Sequence, residues 1–237
     1  MSETTPTFND PTILMEACEN GDIDYVRLLF KTFNIDANKL IGGFTPLYMS
    51  SEKGHIDLVR FLLSPEVGAA PSIGRPRNTP LAISSLNGHY EIVRILLEHI
   101  KKTENADPRE LSEALLNACY SGQVDIARLL VVEGQVDVNS TNGRNHAPIH
   151  VACLSGHLDI VRLLVIEGHA DAHQAMVDGK TALYIACHIG HADIVRFLLS
   201  PEVGADVNQS DHDGHTPLYV SCANGHLDVA RFLLRPE

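Results

Sequence analysis

The chain has no tryptophan, aromatic residues make up only 5% of its 237 residues, and Lys and Arg number 18 against 30 Asp and Glu. The resulting net charge of −12 would repel phosphates, and so few aromatic rings offer little surface on which bases could stack. No apolar run approaches the ~18 residues that a membrane span requires. The polar residues 1–11 lack the apolar segment of a secretory signal. We therefore expect no nucleic-acid partner, no membrane span and no secretory signal.

Sequence motifs for catalysis are also missing. The chain contains no Gly-x-Ser-x-Gly nucleophile turn and no Gly-x-x-x-x-Gly-Lys-Ser/Thr phosphate loop. Its carboxylates recur with a fixed period, which indicates residues at helix starts rather than an acid–base pair. We therefore expect no enzyme activity and no cofactor.

The chain is instead dominated by an internal repeat. Seven glycines recur at intervals of 33–35 residues, each followed by an Arg after six residues and by a Leu after eight. Such a period indicates an array of stacked units that each need their neighbours to bury their apolar faces. The repeat glycines are Gly21, Gly54, Gly88, Gly122, Gly156, Gly190 and Gly225.

Each unit has the pattern of two short helices. A large aliphatic residue stands seven positions before the glycine and a small residue four positions before it, which predicts a thin first helix that neighbours can approach closely. Thr-Pro pairs at residues 45–46, 79–80 and 216–217 are typical of an N-cap and the first helical position. The glycine suits a left-handed helix end. The Asp or Glu three residues after it predicts the start of the second helix and an i,i+3 ion pair with the repeated Arg.

These units strongly resemble the ankyrin repeat. The resemblance rests on segments such as Gly-His-Thr-Pro-Leu-Tyr (214–219), Asn-Gly-His-Leu-Asp (224–228) and Arg-Phe-Leu-Leu (231–234), and it extends over about residues 8–237. It implies an all-α fold with short β-hairpin turns, in which helix-turn-helix units stack into a solenoid. We expect a single domain over 1–237, with repeats at about 8–40, 41–74, 75–108, 109–142, 143–176, 177–211 and 212–237, the last one incomplete.

Two parts of the array depart from the pattern. Residues 99–104 predict a lengthened second helix in the third unit, followed by a loop over 105–108. The chain stops at Arg235-Pro236-Glu237, whereas the matching Ser200-Pro201-Glu202 leads into a further repeat. We therefore expect apolar surface at the C-terminal end and a capacity for self-association through it. A related hypothesis is that the chain is a fragment of a longer protein.

The cysteines and histidines also follow the repeat. All five cysteines stand three residues before a repeat glycine, which predicts a ladder of small buried thiols, at a helix spacing too wide for disulfides. Free thiols favour the cytoplasm, with the nucleus as the alternative. Five histidines directly follow a repeat glycine and are expected to bond the turn backbone. A zinc site is the alternative for the later histidines, although no ligand spacing supports it: His169, His173, His188, His212 and His215.

The resemblance implies that a partner protein binds the concave face, which the first helices and the hairpin tips form. Positions that vary while the scaffold repeats are the natural contact set. Leu86, Tyr120 and Leu154 form an apolar strip across units 3 to 5, with Ile189 beside it, unless these side chains pack among themselves. The candidates at the helix ends are Glu52, Lys53, Leu86, Asn87, Tyr120, Ser121, Leu154, Ser155, His188 and Ile189. The tip candidates are Ile41, Phe44, Arg144, His146, Val177, Lys180, His212 and His215.

The sequence thus predicts a non-catalytic scaffold, or adaptor, for protein–protein interaction. The alternative is a regulatory or targeting ankyrin module that belongs to a larger multidomain protein. The sequence does not identify the partner, because one fold of this kind serves many functions.

Overall fold

The computed structural model describes residues 11–73, 78–103, 107–143 and 145–234. They fall within two compact units, Met1–Glu110 and Leu111–Glu237, and each unit is described by itself. The single domain over 1–237 and its repeat bounds stay predictions.

The first unit consists of helix pairs in which each short first helix packs on the first helix of the next repeat. The pairs are α1 Pro11–Asn20 with α2 Ile23–Thr32, α3 Pro46–Lys53 with α4 Ile56–Leu62, and α5 Pro80–Asn87 with α6 Tyr90–Thr103.

The second unit repeats this arrangement, although its first helix begins at Pro108, just before the unit boundary. Two of its second helices, α8 and α10, continue into a π-helical turn, Leu129–Glu133 and Leu163–Glu167 respectively. The helices are α7 Pro108–Ser121, α8 Val124–Arg128, α9 Pro148–Ser155, α10 Leu158–Arg162, α11 Ala182–Ile189, α12 Ala192–Leu198, α13 Pro217–Ala223 and α14 Leu227–Leu233.

The turns between the helix pairs, called fingers below, carry almost no β-structure. Within the part of the chain that the structure describes, two isolated antiparallel bridges occur, Ile41 with Phe44 and Ala175 with Thr181, and no strand. Two of the described fingers close within a few residues, by the bond from Met176 N–H to the carbonyl of Lys180 at 2.9 Å and by that from Asp211 N–H to the carbonyl of His215 at 3.0 Å. Such a short turn leaves no room for a ladder. The all-α prediction is confirmed, and the expected hairpins are reduced to single turns.

The predicted helix ends are confirmed by their capping bonds. The hydroxyl oxygens of Thr45, Thr79 and Thr216 each accept the backbone N–H three residues later, at 3.1–3.2 Å. Thr181 caps α11 in the same way, with Ala182 in place of proline. All these N-cap residues are extended, as a helix start requires.

Proline sets the length of the second helices. α4 ends at Leu62 and α12 at Leu198, two residues before Ser64-Pro65 and Ser200-Pro201. Unit 4 has Val132-Glu133 and unit 5 has Ile166-Glu167 in place of Ser and Pro, and their second helices run on to Glu133 and Glu167. The lengthened helix of unit 3 is confirmed, since α6 reaches Thr103. Of the loop predicted over 105–108, residues 105 and 106 lie outside the described residues, and Pro108 is the first residue of α7 instead.

The core consists of the two aliphatic positions of the repeat and the small residue between neighbouring first helices. The aliphatic residues seven before the glycine are at most 1% exposed from Leu14 to Leu183, as are Leu62, Leu96, Leu130, Leu164 and Leu198 in the second helices. The small residue is buried in all seven units. Ser50 and Ser84 satisfy their hydroxyls by donating to the carbonyl four residues earlier, at 2.8 Å.

The motif histidines join one repeat to the one before it. Nε2 of His89 donates to the carbonyl of Glu52 at 3.0 Å, and the same bond recurs at His55, His157 and His226. The imidazole lies over the repeat glycine of the preceding repeat, as His89 does over Gly54. A Cβ added at Gly54 would lie 2.8 Å from Cε1 of His89. The expected backbone bond is confirmed, but the carbonyl belongs to the preceding repeat.

The repeated arginines do not form the expected ion pairs, with one exception. Among the described residues, only Arg94 pairs with the carboxylate three residues before it, Glu91, at 2.7 Å. Arg162 lies over the ring of Phe197 in the next repeat, 4.6 Å from its centroid, and Arg27 and Arg196 stack similarly on Phe61 and Phe232. Arg128 pairs with Glu167 of the next repeat. The ion pair within one helix is not formed because an exposed i,i+3 contact contributes only tenths of a kcal/mol. For three of the arginines, the next repeat offers an aromatic ring on which the guanidinium stacks instead.

Helix α9 has a different cap, because Ala147 stands where units 2, 3, 6 and 7 have Thr. His150 compensates: its Nδ1 accepts the N–H of Ala147 at 3.0 Å, and its Nε2 donates to the carbonyl of Gln174 at 2.8 Å. The side chain is buried, and burial lowers its pKa below the usual value for histidine, more than the bond to Gln174 raises it. The folded protein therefore holds the neutral imidazole, with the proton on Nε2.

We predict that Gly54→Ala costs about 1–2 kcal/mol for the left-handed backbone and about 1–3 kcal/mol more for the collision with His89. Urea unfolding should show the larger total in the wild-type background, and only the backbone part in a His89→Ala background. Gly225→Ala is a matched control, since it has the same kind of backbone and nothing lies within 4 Å of the added Cβ. Equal costs in both backgrounds would contradict the packing of His89 on Gly54.

We predict that His150 makes stability depend on pH. A lowered folded-state pKa means that the unfolded chain binds the proton more readily, so the contribution of His150 is complete above about pH 6.5 and declines as the pH falls below that. His150→Gln keeps an acceptor for Ala147 without titrating. Between pH 7.5 and 5.5, wild type should therefore lose more free energy of unfolding than the variant does. The extra loss should be no more than about 1.4 kcal/mol per pH unit. A difference that does not change with pH would refute the neutral role of His150.

Candidate functional site

The candidate residues of the first unit lie at the C-terminal ends of α3 and α5, and their polar members stabilise the stacking of repeats. Nζ of Lys53 pairs with Oε1 of Glu19 at 2.8 Å. Nδ2 of Asn87 donates to the carbonyl of Glu52 at 2.9 Å. Leu86 is half-buried. The polar candidates Lys53 and Asn87 thus link neighbouring repeats.

The candidates of the second unit leave large apolar side chains exposed. Tyr120 is 62% exposed, Leu154 49% and Ile189 37%, all at the ends of first helices. Of the two serines beside them, Ser121 donates to the carbonyl of Asn117 at 2.8 Å and Ser155 is half-buried. The apolar members of this set are therefore free to meet another surface.

A pocket of about 220 Å³ lies between α9 and α11 and is called the α9–α11 pocket below. It brings together four of the sequence candidates, which lie in two helices and two fingers: His146, Leu154, Lys180 and His188. Five further residues complete its lining: His150, Val151, Met176, Tyr184 and Ile185.

Most polar atoms in the walls of this pocket are already engaged. The hydroxyl of Tyr184 donates to Oδ2 of Asp211 at 2.8 Å, and Nζ of Lys180 pairs with Oδ2 of Asp178 at 2.8 Å. Nδ1 of His188 accepts from Nδ2 of Asn224 at 3.0 Å. The pocket therefore offers mainly carbon surface to a ligand.

The charges beside the pocket shift its titratable groups. Burial, followed by the hydrogen bond to Asp211, raises the pKa of Tyr184. The hydrogen bond from Lys180 to Asp178 raises the pKa of Lys180. Burial would raise the pKa of Asp178, but the bonds and charge from Lys180 outweigh it and hold the pKa below its usual range. All three groups keep the charge state that their structural bonds require, so none is poised for proton transfer near neutral pH.

The finger of the last repeat holds a polar cluster, Asp211, Asp213 and His215, whose oxygen and nitrogen atoms lie within 4.8 Å of one another. Oδ1 of Asp211 accepts the N–H of His215 at 2.8 Å and that of Asp213 at 3.1 Å. The ring of His215 stacks on Tyr219, with centroids 4.5 Å apart. These bonds shape the turn and account for the cluster.

The other finger candidates are dispersed. Val177 is 71% exposed, whereas Phe44 stacks on Tyr48 at 4.6 Å. Ile41 forms the bridge with Phe44, and the N–H of His212 donates to the carbonyl of Asp178 at 3.0 Å. Arg144 lies outside the described residues. Apart from the local pair Ile41 and Phe44, the finger candidates that the described structure brings to one site are His146 and Lys180, which line the α9–α11 pocket.

Sequence reasoning missed His150 and Tyr184, although a signal for them exists. Both stand six residues before a repeat glycine, at a position that also holds Tyr48, Ala82, Leu116 and Tyr219 and thus varies as freely as the positions chosen. The site candidates Leu154 and His188 stand two residues before a repeat glycine, which is four residues after this position. Residues four apart lie on the same face of a helix. No sequence pattern marked Met176, since only the fold of the finger places it in the pocket wall.

The thiol ladder is confirmed for four of the five cysteines. Cys18, Cys119, Cys153 and Cys187 are buried, and burial raises the pKa of Cys18 and of Cys187 to about 12, so these thiols are unreactive. The prediction of burial is wrong for Cys222, which is exposed. Its helix α13 packs on α11 and α14, and no further described helix lies over its other side.

Apolar side chains are exposed in this last helix pair as expected. Tyr219 is 55% exposed, Leu227 65% and Leu234 64%. Self-association through them stays a prediction. Among the described helices, none combines the length and the apolar character that crossing a membrane requires.

A family model described as ankyrin repeats in three copies matches residues 2–75, 71–142, 102–174 and 149–237. No curated protein sequence gives a significant match. The matches span nearly the whole chain and coincide with the helix pairs, their caps and the histidine contacts described above. The chain therefore belongs to the ankyrin-repeat family.

Proposed function

We propose that the chain is a non-catalytic scaffold that binds a partner protein through the first-helix surface of its second unit, defined by Tyr120, Leu154 and Ile189. Ankyrin repeats are generally protein–protein interaction modules. The observation that carries the proposal for this chain is the exposure of these three large apolar side chains at equivalent helix ends. The alternative, a regulatory or targeting module of a larger protein, would use the same surface.

The size of the exposed side chains supports a binding role. Fully burying a side chain of this size is worth about 1.5–3 kcal/mol, and tyrosine is among the residues that dominate interface energetics. Tyr120 and Leu154 retain about half or more of their surface for such burial. Burying the part of both side chains that is still exposed would contribute about 1.5–3 kcal/mol in total, which strengthens a complex on the order of ten- to a hundredfold.

The state of the titratable groups supports a non-catalytic role. Each shifted group beside the pocket has a structural partner: His150 bonds Ala147 and Gln174, Tyr184 bonds Asp211, and Lys180 bonds Asp178. A general acid or base would instead point at a space where a substrate could sit. These groups stabilise the scaffold.

We also infer that the protein works in the cytosol or nucleus, because it carries five free cysteines. A fluorescent-protein fusion expressed in the source cell should give signal in one of these two compartments. A fusion that enters the secretory pathway would contradict this location.

We predict that Tyr120→Glu combined with Leu154→Glu abolishes partner binding, because two charges would have to be buried against the partner. The measurement is affinity capture from source-cell lysate with mass spectrometry, using wild type and the double variant side by side. The matched control is Val132→Glu with Ile166→Glu, which adds the same charge at 57% and 45% exposed positions of the second helices.

The expected result is a protein held by wild type and by the control but lost by the double variant, with circular dichroism showing that all three are folded. A protein held equally by all three would place the binding surface elsewhere and refute the proposal. Loss in the control as well would show that added charge, rather than this surface, decides the binding.

A further inference from the structure

The α9–α11 pocket has the size of an amino-acid side chain rather than of a small-molecule ligand. Its volume of about 220 Å³ falls below the ~300–1,000 Å³ of sites that enclose drug-sized molecules. At ~30 Å³ per water molecule, it holds about seven waters. One or two side chains would displace them.

The lining selects an apolar occupant. Val151, Leu154, Met176 and Ile185 supply aliphatic surface, and the rings of Tyr184 and His188 lie nearly parallel, with centroids 6.3 Å apart. The hydrogen bonds from the walls lead away from the pocket, to Asp211 and Asn224. A polar group inserted here would lose its water without gaining a partner.

The charge at the finger end of the pocket selects a cation beside that apolar group. Asp178 pairs with Lys180 at 2.8 Å. Asp211 accepts from the hydroxyl of Tyr184 in the pocket wall at 2.8 Å, and the carboxylate of Asp213 lies within 4.8 Å of that of Asp211. Three carboxylates thus lie at this end of the pocket with one ammonium group, that of Lys180, and with the ring of His215, whose Nδ1 is 3.4 Å from Oδ2 of Asp211. Asp213 is exposed, and the whole chain carries a net charge of −12. The potential at this rim is negative and attracts a positively charged partner residue.

We propose that the α9–α11 pocket receives an apolar side chain from an extended segment of the partner protein, and that a Lys or Arg a few residues away in that segment binds at Asp213. This inference rests on the proposed function and specifies the chemistry of its partner. It is carried by the volume and carbon lining of the pocket and by the excess of carboxylates at its rim.

A phage-displayed library of random 12-residue peptides, selected on the full chain, tests the proposal directly. Selected sequences should share an aliphatic or aromatic residue within a few positions of Lys or Arg. The affinity of a selected synthetic peptide is then measured by fluorescence anisotropy against wild type and variants. The variants are designed to separate the apolar part of the site from its charged part.

Met176→Glu places a charge in the pocket and should weaken binding by more than about tenfold. Met176→Phe fills the pocket without adding charge and should also weaken binding, which keeps the test valid if the Glu variant does not fold. Asp213→Asn should weaken binding about two- to fivefold and reduce its dependence on salt. Glu202→Gln removes one exposed carboxylate outside the pocket and serves as the matched control, with unchanged affinity.

Several outcomes would overturn the proposal. Selection of acidic peptides, or of none, would do so, as would peptides that bind both Met176 variants like wild type. If such peptides, or the lysate partner, are still lost with Tyr120→Glu and Leu154→Glu, the proposed function stands and only the pocket assignment fails. If that double variant also binds everything that wild type binds, both proposals fail.

Discussion

The packing of an imidazole ring on a glycine fixes the arrangement of the repeats. Five histidines each lie over the repeat glycine of the preceding repeat, where the nearest ring atom would be 2.5–2.8 Å from an added Cβ: His55, His89, His157, His191 and His226. The same glycine must adopt a left-handed backbone to end the first helix. Two requirements thus meet in one residue: its own helix needs a positive φ, and the next repeat needs the space. Their combination explains why the spacing changes by at most two residues among the five pairs of repeats that contain this contact.

Other contacts between repeats follow the same logic, in which the polar groups of one repeat are satisfied by the next. Asn139 accepts the N–H of Asp171 at 2.8 Å and Asn38 that of Ala70 at 2.7 Å, while arginines of the second helices stack on aromatic rings of the following repeat. These contacts occupy the faces that stack. The exposed ends of the first helices and the fingers take no part in most of them, so their residues vary without disturbing the scaffold. A binding surface therefore lies where the sequence departs from its own repeat.

Local rules predicted the helices well and the candidate site only in part. Thr-Pro pairs and glycines mark the helix ends correctly, because capping depends on residues three or four positions apart. The presence or absence of Pro65 and Pro201 also explains the two lengths of second helix, although the start of α7 at Pro108 was not foreseen. For the site, the positions beside the glycine indicated Leu154 and His188. Tyr184 of α11 and Met176 of a finger form the opposite walls of the pocket. Their part in the site could be recognised only once the positions of α9, α11 and the finger were known.

The sequence by itself determined the period, the caps, the buried aliphatic positions and the family, because each depends on spacings within one repeat or on its recurrence. Only the tertiary structure decided that the arginines stack on the next repeat, that Cys222 is exposed while four equivalent thiols are buried, and that His150 replaces a threonine cap and bonds Gln174. It also decided that four candidate residues share one pocket with Tyr184. The physical reason is that the contacts of the arginines, His150 and the pocket residues join positions as far as 24 to 42 residues apart, and that the environment of a thiol depends on which helices lie over it. Stacking, not helix periodicity, decides both.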